Sequence, residues 1–127
     1  MIRFQPIAAS LLLLGLTAPV YASCIAPKAP SSYPNGATAS LPEMVEAQKA
    51  VKQFQADLAT YRKCIDEESP PAPTGAALTD EQKKAQNARE KERMQKYNES
   101  VDQEQAAVAE FTQQLHAYKD AQAKKDK

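Results

Sequence analysis

The sequence predicts an all-α protein: an antiparallel two-helix hairpin of the coiled-coil type, with an extended Pro-rich N-terminal arm clipped by a disulfide. Two segments carry apolar residues at alternating steps of three and four, the spacing of a helix-packing seam. A Pro/Gly-rich linker joins them, so the helices are expected to be antiparallel neighbours. Two cysteines complete the pattern: Cys24 in the arm and Cys64 late in the first helix.

Residues 1–22 are interpreted as a signal peptide. Arg3 supplies a minimal positive region, and the apolar run 7–16 is too short to span a bilayer. Val20 and Ala22 favour cleavage after Ala22. A retained membrane anchor is the disfavoured alternative, and the mature protein is expected in the periplasm or secreted.

Cys24 leaves a second localisation open. A bacterial lipoprotein signal ends in a short box before a cysteine that carries lipid, and here that box is Tyr21-Ala22-Ser23-Cys24. Tyr21 stands where such a box has Leu or another aliphatic residue. The alternative is therefore a lipid-anchored envelope protein, in which Cys64 would lose its partner.

The extended arm is predicted over residues 23–40, where Pro27, Pro30 and Pro34 have the spacing of a polyproline II helix. Helix one is predicted over 41–68, after a capping box that starts at Ser40 and before the paired prolines 70 and 71. Its heptad seam consists of Met44, Ala47, Val51, Phe54, Leu58, Tyr61 and Ile65.

The linker is predicted over residues 69–78 and helix two over 79–124. A second capping box starts at Thr79, and no Gly or Pro follows it. The segment 80–93 is almost wholly polar. The second seam then consists of Met94, Tyr97, Val101, Glu104, Val108, Phe111, Leu115 and Tyr118.

The register of the hairpin is predicted from the sizes of the seam residues. The small Ala47 is expected opposite the larger Leu115. This register sets Glu104 against Leu58, whereas a slide by one heptad sets it against Val51. In the register that sets Ala47 opposite Leu115, helix two overhangs helix one by residues 79–93. The other expected pairs are Phe54–Val108, Val51–Phe111, Tyr61–Val101 and Ile65–Tyr97.

The predicted disulfide joins Cys24 to Cys64. The arm before Ser40 can extend about 50 Å as polyproline II, and the helix from Ser40 to Cys64 is about 36 Å long. The arm can therefore run back along helix one, with Pro27, Pro30 and Tyr33 in the groove between the helices. A structural bridge is favoured over a redox-active pair because the chain has no Cys-x-x-Cys.

Composition disfavours several functional classes. Among 127 residues, 16 basic and 16 acidic side chains balance, which predicts no nucleic-acid partner. His116 is the only histidine and is expected on the surface, so we expect no metal site, no cofactor and no enzyme activity. The acidic run 66–68 is interpreted as a solvated helix end rather than a calcium site.

Four residues are candidates for partner contact: Glu104, Lys83, Lys84 and Arg89. Glu104 lies in the seam and is expected to pair with a basic neighbour, Arg62 or Lys63, unless it marks a partner contact. The stretch 83–96 carries six basic and two acidic residues. It is expected to be a solvated helix with pairs such as Glu92–Lys96, and contact with a membrane surface is the disfavoured alternative.

The chain resembles an uncharacterised family of small exported proteobacterial proteins. The resemblance rests on Cys24-x-x-Pro27-x-x-Pro30, on Pro34-Asn35-Gly36, on the seam around Ala47-Gln48-Lys49-Ala50-Val51 with Cys64, and on Tyr97-Asn98-x-x-Val101-Asp102. It implies export and paired cysteines and assigns no activity or site. Residues 112–116 depart from the pattern, because such chains often have a second Asn and Arg there.

The predicted function is an exported periplasmic structural or protein-binding helical module. Its partner is expected to be an envelope protein that the sequence does not identify, and a homodimer is an open alternative. The thin seams, the overhanging polar helix and the missing catalytic set favour a binding role over an enzyme.

Overall fold

The computed structural model describes residues 23–68 and 78–125. Two helices, α1 (Leu41–Glu68) and α2 (Asp80–Lys125), pack against each other as an antiparallel hairpin. The predicted signal peptide and all but the last residue of the predicted linker lie outside the described residues. Within these two ranges the regular structure is entirely helical, which confirms the predicted fold class.

Both helices begin at the predicted capping residues. The Glu43 side chain accepts hydrogen bonds from the Ser40 amide and the Ser40 hydroxyl, each at 2.7 Å. At α2 the box is reciprocal, because the Thr79 amide donates to Gln82 Oε1 at 2.9 Å and the Gln82 amide donates to Thr79 Oγ1 at 3.2 Å. These contacts satisfy amides that the first helical turn leaves without partners.

The seam of α1 is as predicted. Leu58 is completely buried and Ile65 almost so, and Ala47 is half-buried at the edge of the core. Val51 shares a cluster with Phe111, as the predicted register requires. The buried residues of α1 are Met44, Val51, Phe54, Leu58, Tyr61 and Ile65.

The seam predicted for α2 is confirmed toward the C-terminus, where Phe111 is buried and Val108, Leu115 and Tyr118 pack against the core, but it fails toward the N-terminus. Ser100 and Ala107 are buried, whereas Val101 and Val108 are only half-buried and Tyr97 is exposed. Ala107 shares a core cluster with the large side chains of α1, so this part of α2 presents a small residue to them. We call Ser100, Ala107 and Phe111 the inner row of α2.

The arm runs antiparallel to α1, from Cys24 beside Cys64 to Ser40 at the start of the helix. A turn at Asn35 ends the extended part, because the Asn35 carbonyl accepts the amides of Thr38 at 3.1 Å and Ala39 at 2.8 Å. Ala39 is buried against the core. The arm is therefore a third packing element that covers one side of the hairpin.

Candidate interaction site

The disulfide fastens the arm to the C-terminal end of α1. Cys24 and Cys64 are bonded, with their Cα atoms 5.8 Å apart. The Cys24 amide also donates to Glu68 Oε1 at 2.8 Å, so Glu68 is not the solvated residue that was predicted. The two sulfurs and a Glu68 oxygen lie within 4.8 Å of one another. Because both sulfurs are oxidised, this group is not a metal site in the clipped protein.

The middle of the arm is held by Tyr33. Its ring centroid lies 6.5 Å from that of Phe111, and the side chain packs against the core cluster that joins both helices. Burial, followed by the charge of Glu110, raises the pKa of Tyr33. Tyr33 therefore lies where the two helices meet, as predicted for the groove between them. Pro27 instead borders a shallow depression whose helical residues all belong to α1.

The arm touches the backbone of α2 at Gly36. The Gly36 amide donates to Gln114 Oε1 at 2.9 Å. A Cβ atom built on Gly36 would stand 1.8 Å from the Gln114 carbonyl oxygen and 2.8 Å from the Tyr118 amide nitrogen. Only a residue without a side chain can approach the helix this closely. The sequence indicated a turn here but not this contact.

A polar network joins the helices on the other flank of α1. Arg62 Nη2 donates to Glu104 Oε2 at 2.6 Å and to the Ser100 carbonyl at 3.1 Å, and Arg62 Nε donates to Ser100 Oγ at 2.8 Å. Gln55 donates to the second Glu104 oxygen at 3.0 Å. The guanidinium carbon lies 5.7 Å from the Tyr97 ring centroid. The predicted Arg62–Glu104 pair is therefore confirmed.

This network fixes the charge of Glu104. Hydrogen bonds from Arg62 and then Gln55 lower the pKa of Glu104 below its ordinary value of 4.5. The side chains of Arg62 and Glu104 are 18% and 27% exposed, so the pair is largely shielded from water. Glu104 is thus bonded within the chain, and its role as a partner contact stays a prediction.

The acidic end of α1 is also engaged by α2. Asp66 Oδ1 accepts a hydrogen bond from Arg93 at 2.8 Å, and Arg93 also binds Glu90 at 2.6 Å. These bonds, with Glu90 first, raise the pKa of Arg93. Glu67 lies 3.8 Å from Lys63. Asp66 and Glu67 are exposed as predicted, but Asp66 contributes to the hairpin through Arg93.

Residues 80–92 of α2, called the overhang, extend beyond α1 and are all exposed except Gln86. Among the described residues, the side-chain bonds of the overhang stay within α2 or its cap. Lys83 lies 3.5 Å from Asp80, and the predicted Glu92–Lys96 pair is present at 2.8 Å. Lys84 and Arg89 are exposed and belong to no ion pair in the described part of the chain. Three of the four predicted contact residues therefore lie together on the overhang.

A second apolar surface follows α2 beside the inner row. Met94 is 45% exposed and Tyr97 37% exposed. Val101 and Val108 are half-buried and border a shallow depression. We call Met94, Tyr97, Val101 and Val108 the outer row. These residues belong to the seam predicted for the hairpin interior. They lie at its edge, where Val108 still packs against the core.

Comparison of the chain with protein-family models, with curated proteins and with solved structures finds no match. The resemblance to the small exported family therefore stays a prediction. None of the helices in the described ranges is long and apolar enough to cross a membrane. His116 is exposed, as predicted.

Proposed function

We propose that the chain is an exported helical module that holds a protein partner in the periplasm. The disulfide, the docked arm and the Arg62 network stabilise the hairpin in a chain with a thin core. A hairpin of this kind presents the overhang in a defined direction while leaving its surface free. This combination supports a binding or structural role.

The observation that carries the proposal is the exposed overhang. It is about 20 Å long at about 1.5 Å per residue, and its ion pairs form along the helix itself. Lys84 and Arg89 offer positive charges that no described residue neutralises. The overhang therefore suits an acidic surface on an envelope protein, which such charges would steer and orient.

The alternative is a lipid-anchored envelope protein attached through Cys24. The sequence motif that favours it is the box Ala22-Ser23-Cys24. Lipid attachment uses the Cys24 sulfur, the same atom that bonds Cys64. We favour the periplasmic form because it leaves this bond and the docking of the arm intact.

Site-specific photocrosslinking in living cells tests the binding role. A photoreactive residue at Lys84 should give an adduct with a different envelope protein, and the same residue at Lys52 on α1, which is also exposed, should not. Charge reversal at Arg89 should lower the yield at position 84. Equal adducts at both positions, or none at position 84, would contradict the proposal.

A further inference from the structure

Three groups of the kind that bind metal ions meet at the C-terminal end of α1. The sulfurs of Cys24 and Cys64 and a carboxylate oxygen of Glu68 lie within 4.8 Å of one another. A tetrahedral zinc ion has Zn–S bonds of about 2.3 Å and Zn–O bonds of about 2.1 Å, which set its ligand atoms about 3.6–3.8 Å apart. Small side-chain movements therefore suffice to bring all three groups onto one ion. The disulfide prevents this, because its sulfurs are not thiolates.

Glu68 is oriented toward the sulfurs by both the helix and the arm. It lies four residues after Cys64, so the two side chains share one face of α1. Its Oε1 atom accepts a hydrogen bond from the Cys24 amide at 2.8 Å. A contact of this kind holds a carboxylate ligand in place. Among the described residues Glu68 belongs to no ion pair, whereas the neighbouring Glu67 pairs with Lys63.

We propose that the reduced protein binds one zinc ion through Cys24, Cys64 and Glu68. Two thiolates and one carboxylate suit zinc, and a water molecule completes the tetrahedron. The single histidine, His116, made a metal site unexpected, but this site uses sulfur and carboxylate ligands and requires no imidazole. The inference does not depend on the proposed function, because no residue of the overhang takes part.

Reduction has to precede zinc binding, and a protein dithiol is the class of reductant that exchanges with a disulfide. A thiolate of the reductant attacks one sulfur of the Cys24–Cys64 bond, and its second thiol resolves the mixed disulfide. The reductant leaves as a disulfide, and both cysteines become thiols. Zinc then binds, and the two thiol protons pass to solvent. Exchange with the disulfide form of the same class of protein reverses each step, so that zinc leaves as the Cys24–Cys64 bond forms again.

The position of the site gives zinc a structural role. All three ligand residues are half-buried, and Cys64 borders the shallow depression beside Pro27, so the site can be reached from solvent. A zinc ion that joins Cys24 of the arm to two residues of α1 fastens the same two elements as the disulfide. The ion is therefore an alternative clip, which keeps the arm docked in the reduced protein.

Zinc titration of the reduced protein tests the site. The protein is reduced with a phosphine, freed of the reductant without air and titrated with zinc in a calorimeter. One ion should bind per chain, and zinc should raise the melting temperature of the reduced protein. The oxidised protein should bind no zinc at this site, and its melting temperature should not change. Absence of zinc binding by the reduced protein, or equal binding by the oxidised protein, would overturn the proposal.

Two glutamate variants separate this site from zinc binding by any pair of thiols. Glu68→Gln keeps a hydrogen-bond acceptor for the Cys24 amide but removes the carboxylate ligand. It should weaken zinc binding by the reduced protein at least about tenfold, a loss that even outer-shell partners of a metal cause. Glu67→Gln, at the exposed neighbouring position, is the matched control and should leave the affinity unchanged. Equal affinities of the two variants for zinc would mean that the thiols bind it without Glu68, and the proposed site would be wrong.

Discussion

Arg62 of α1 and Glu104 of α2 form an ion pair across the hairpin, with Nη2 and Oε2 2.6 Å apart. Arg62 also binds the hydroxyl and the carbonyl oxygen of Ser100. One side chain therefore contacts three polar groups of the facing helix. Because these groups lie at two consecutive turns of α2, the contacts define the helix register.

Arg62→Ala should destabilise the protein by about 1–3 kcal/mol. The change leaves Glu104 and the Ser100 hydroxyl without a main partner in a partly buried site. Chemical denaturation followed by circular dichroism measures the loss. Lys63→Ala is the control, because Lys63 makes an exposed pair with Glu67 at 3.8 Å and should cost no more than about 0.5 kcal/mol. Equal losses for the two variants would argue against a structural role for the network.

Coupling between Arg62 and Glu104 should appear in a double-mutant cycle. Glu104→Ala and the double variant complete the cycle with Arg62→Ala. Residues in direct contact have interaction energies of about 0.5–3 kcal/mol, and a value within this range is expected here. Additive losses would show that the two side chains act independently.

Acid should remove the contribution that Glu104 makes to the stability of the fold. Its pKa is lowered in the folded state by Arg62 and Gln55, so the ionised form is favoured by folding. The resulting stability is present above the ordinary pKa of 4.5 and is lost as the pH falls through the lower folded-state pKa. Glu104→Gln should therefore cost more at pH 7 than in strong acid.

Unfolding free energies of the unmodified protein and Glu104→Gln, measured across this pH range, test the prediction. Gln103→Asn changes one uncharged side chain for another at the exposed position next to Glu104. Its effect on the free energy of unfolding should not vary with pH. If the loss of unfolding free energy in Glu104→Gln is the same at every pH, the lowered pKa of Glu104 is contradicted.

Gly36→Ala should detach the arm from α2. The new methyl group would lie 1.8 Å from the Gln114 carbonyl oxygen, so backbone has to move. A loss of about 1–3 kcal/mol is expected, as for overpacked sites. Ala37→Ser, at the exposed next position, should have little effect. Unchanged stability of Gly36→Ala in denaturation would mean that the arm does not pack on α2.

Removing the disulfide should lower stability without removing the helices. The bond closes a loop between residues 40 positions apart, for which the chain-entropy model gives about 3–4 kcal/mol. Replacing both Cys24 and Cys64 by Ser avoids a free thiol. The melting temperature should fall clearly, and the helical signal should persist at low temperature. An unchanged melting temperature would contradict the clip.

Local signals in the sequence predicted the helix starts and the core of α1. Ser40 and Thr79 carry capping chemistry, and every buried residue of α1 lies on its heptad seam. The cysteine positions and the reach of the arm likewise predicted the disulfide. Each of these inferences depends on neighbours in the chain or on the distance that a segment can span.

The face that α2 turns to α1 could not be predicted in this way. Val101 and Val108 have the periodicity of a seam, yet both are only half-buried, with Val108 at the edge of the core, whereas Ser100 and Ala107 are buried. Ser100 is polar and indicates a surface position until Arg62 is known to reach its hydroxyl. The contact of Gly36 with Gln114 joins residues far apart in the chain and has no local signature. Such choices depend on three-dimensional packing.

The most direct test of the exported, disulfide-clipped hairpin is the intact mass of the chain isolated from the cell envelope without reduction. The expected mass is that of a chain beginning at Ser23 with two hydrogens fewer than the reduced form, and a cross-linked peptide should contain Cys24 and Cys64. A lipid mass on Cys24, or free thiols at both positions, would contradict the clipped hairpin.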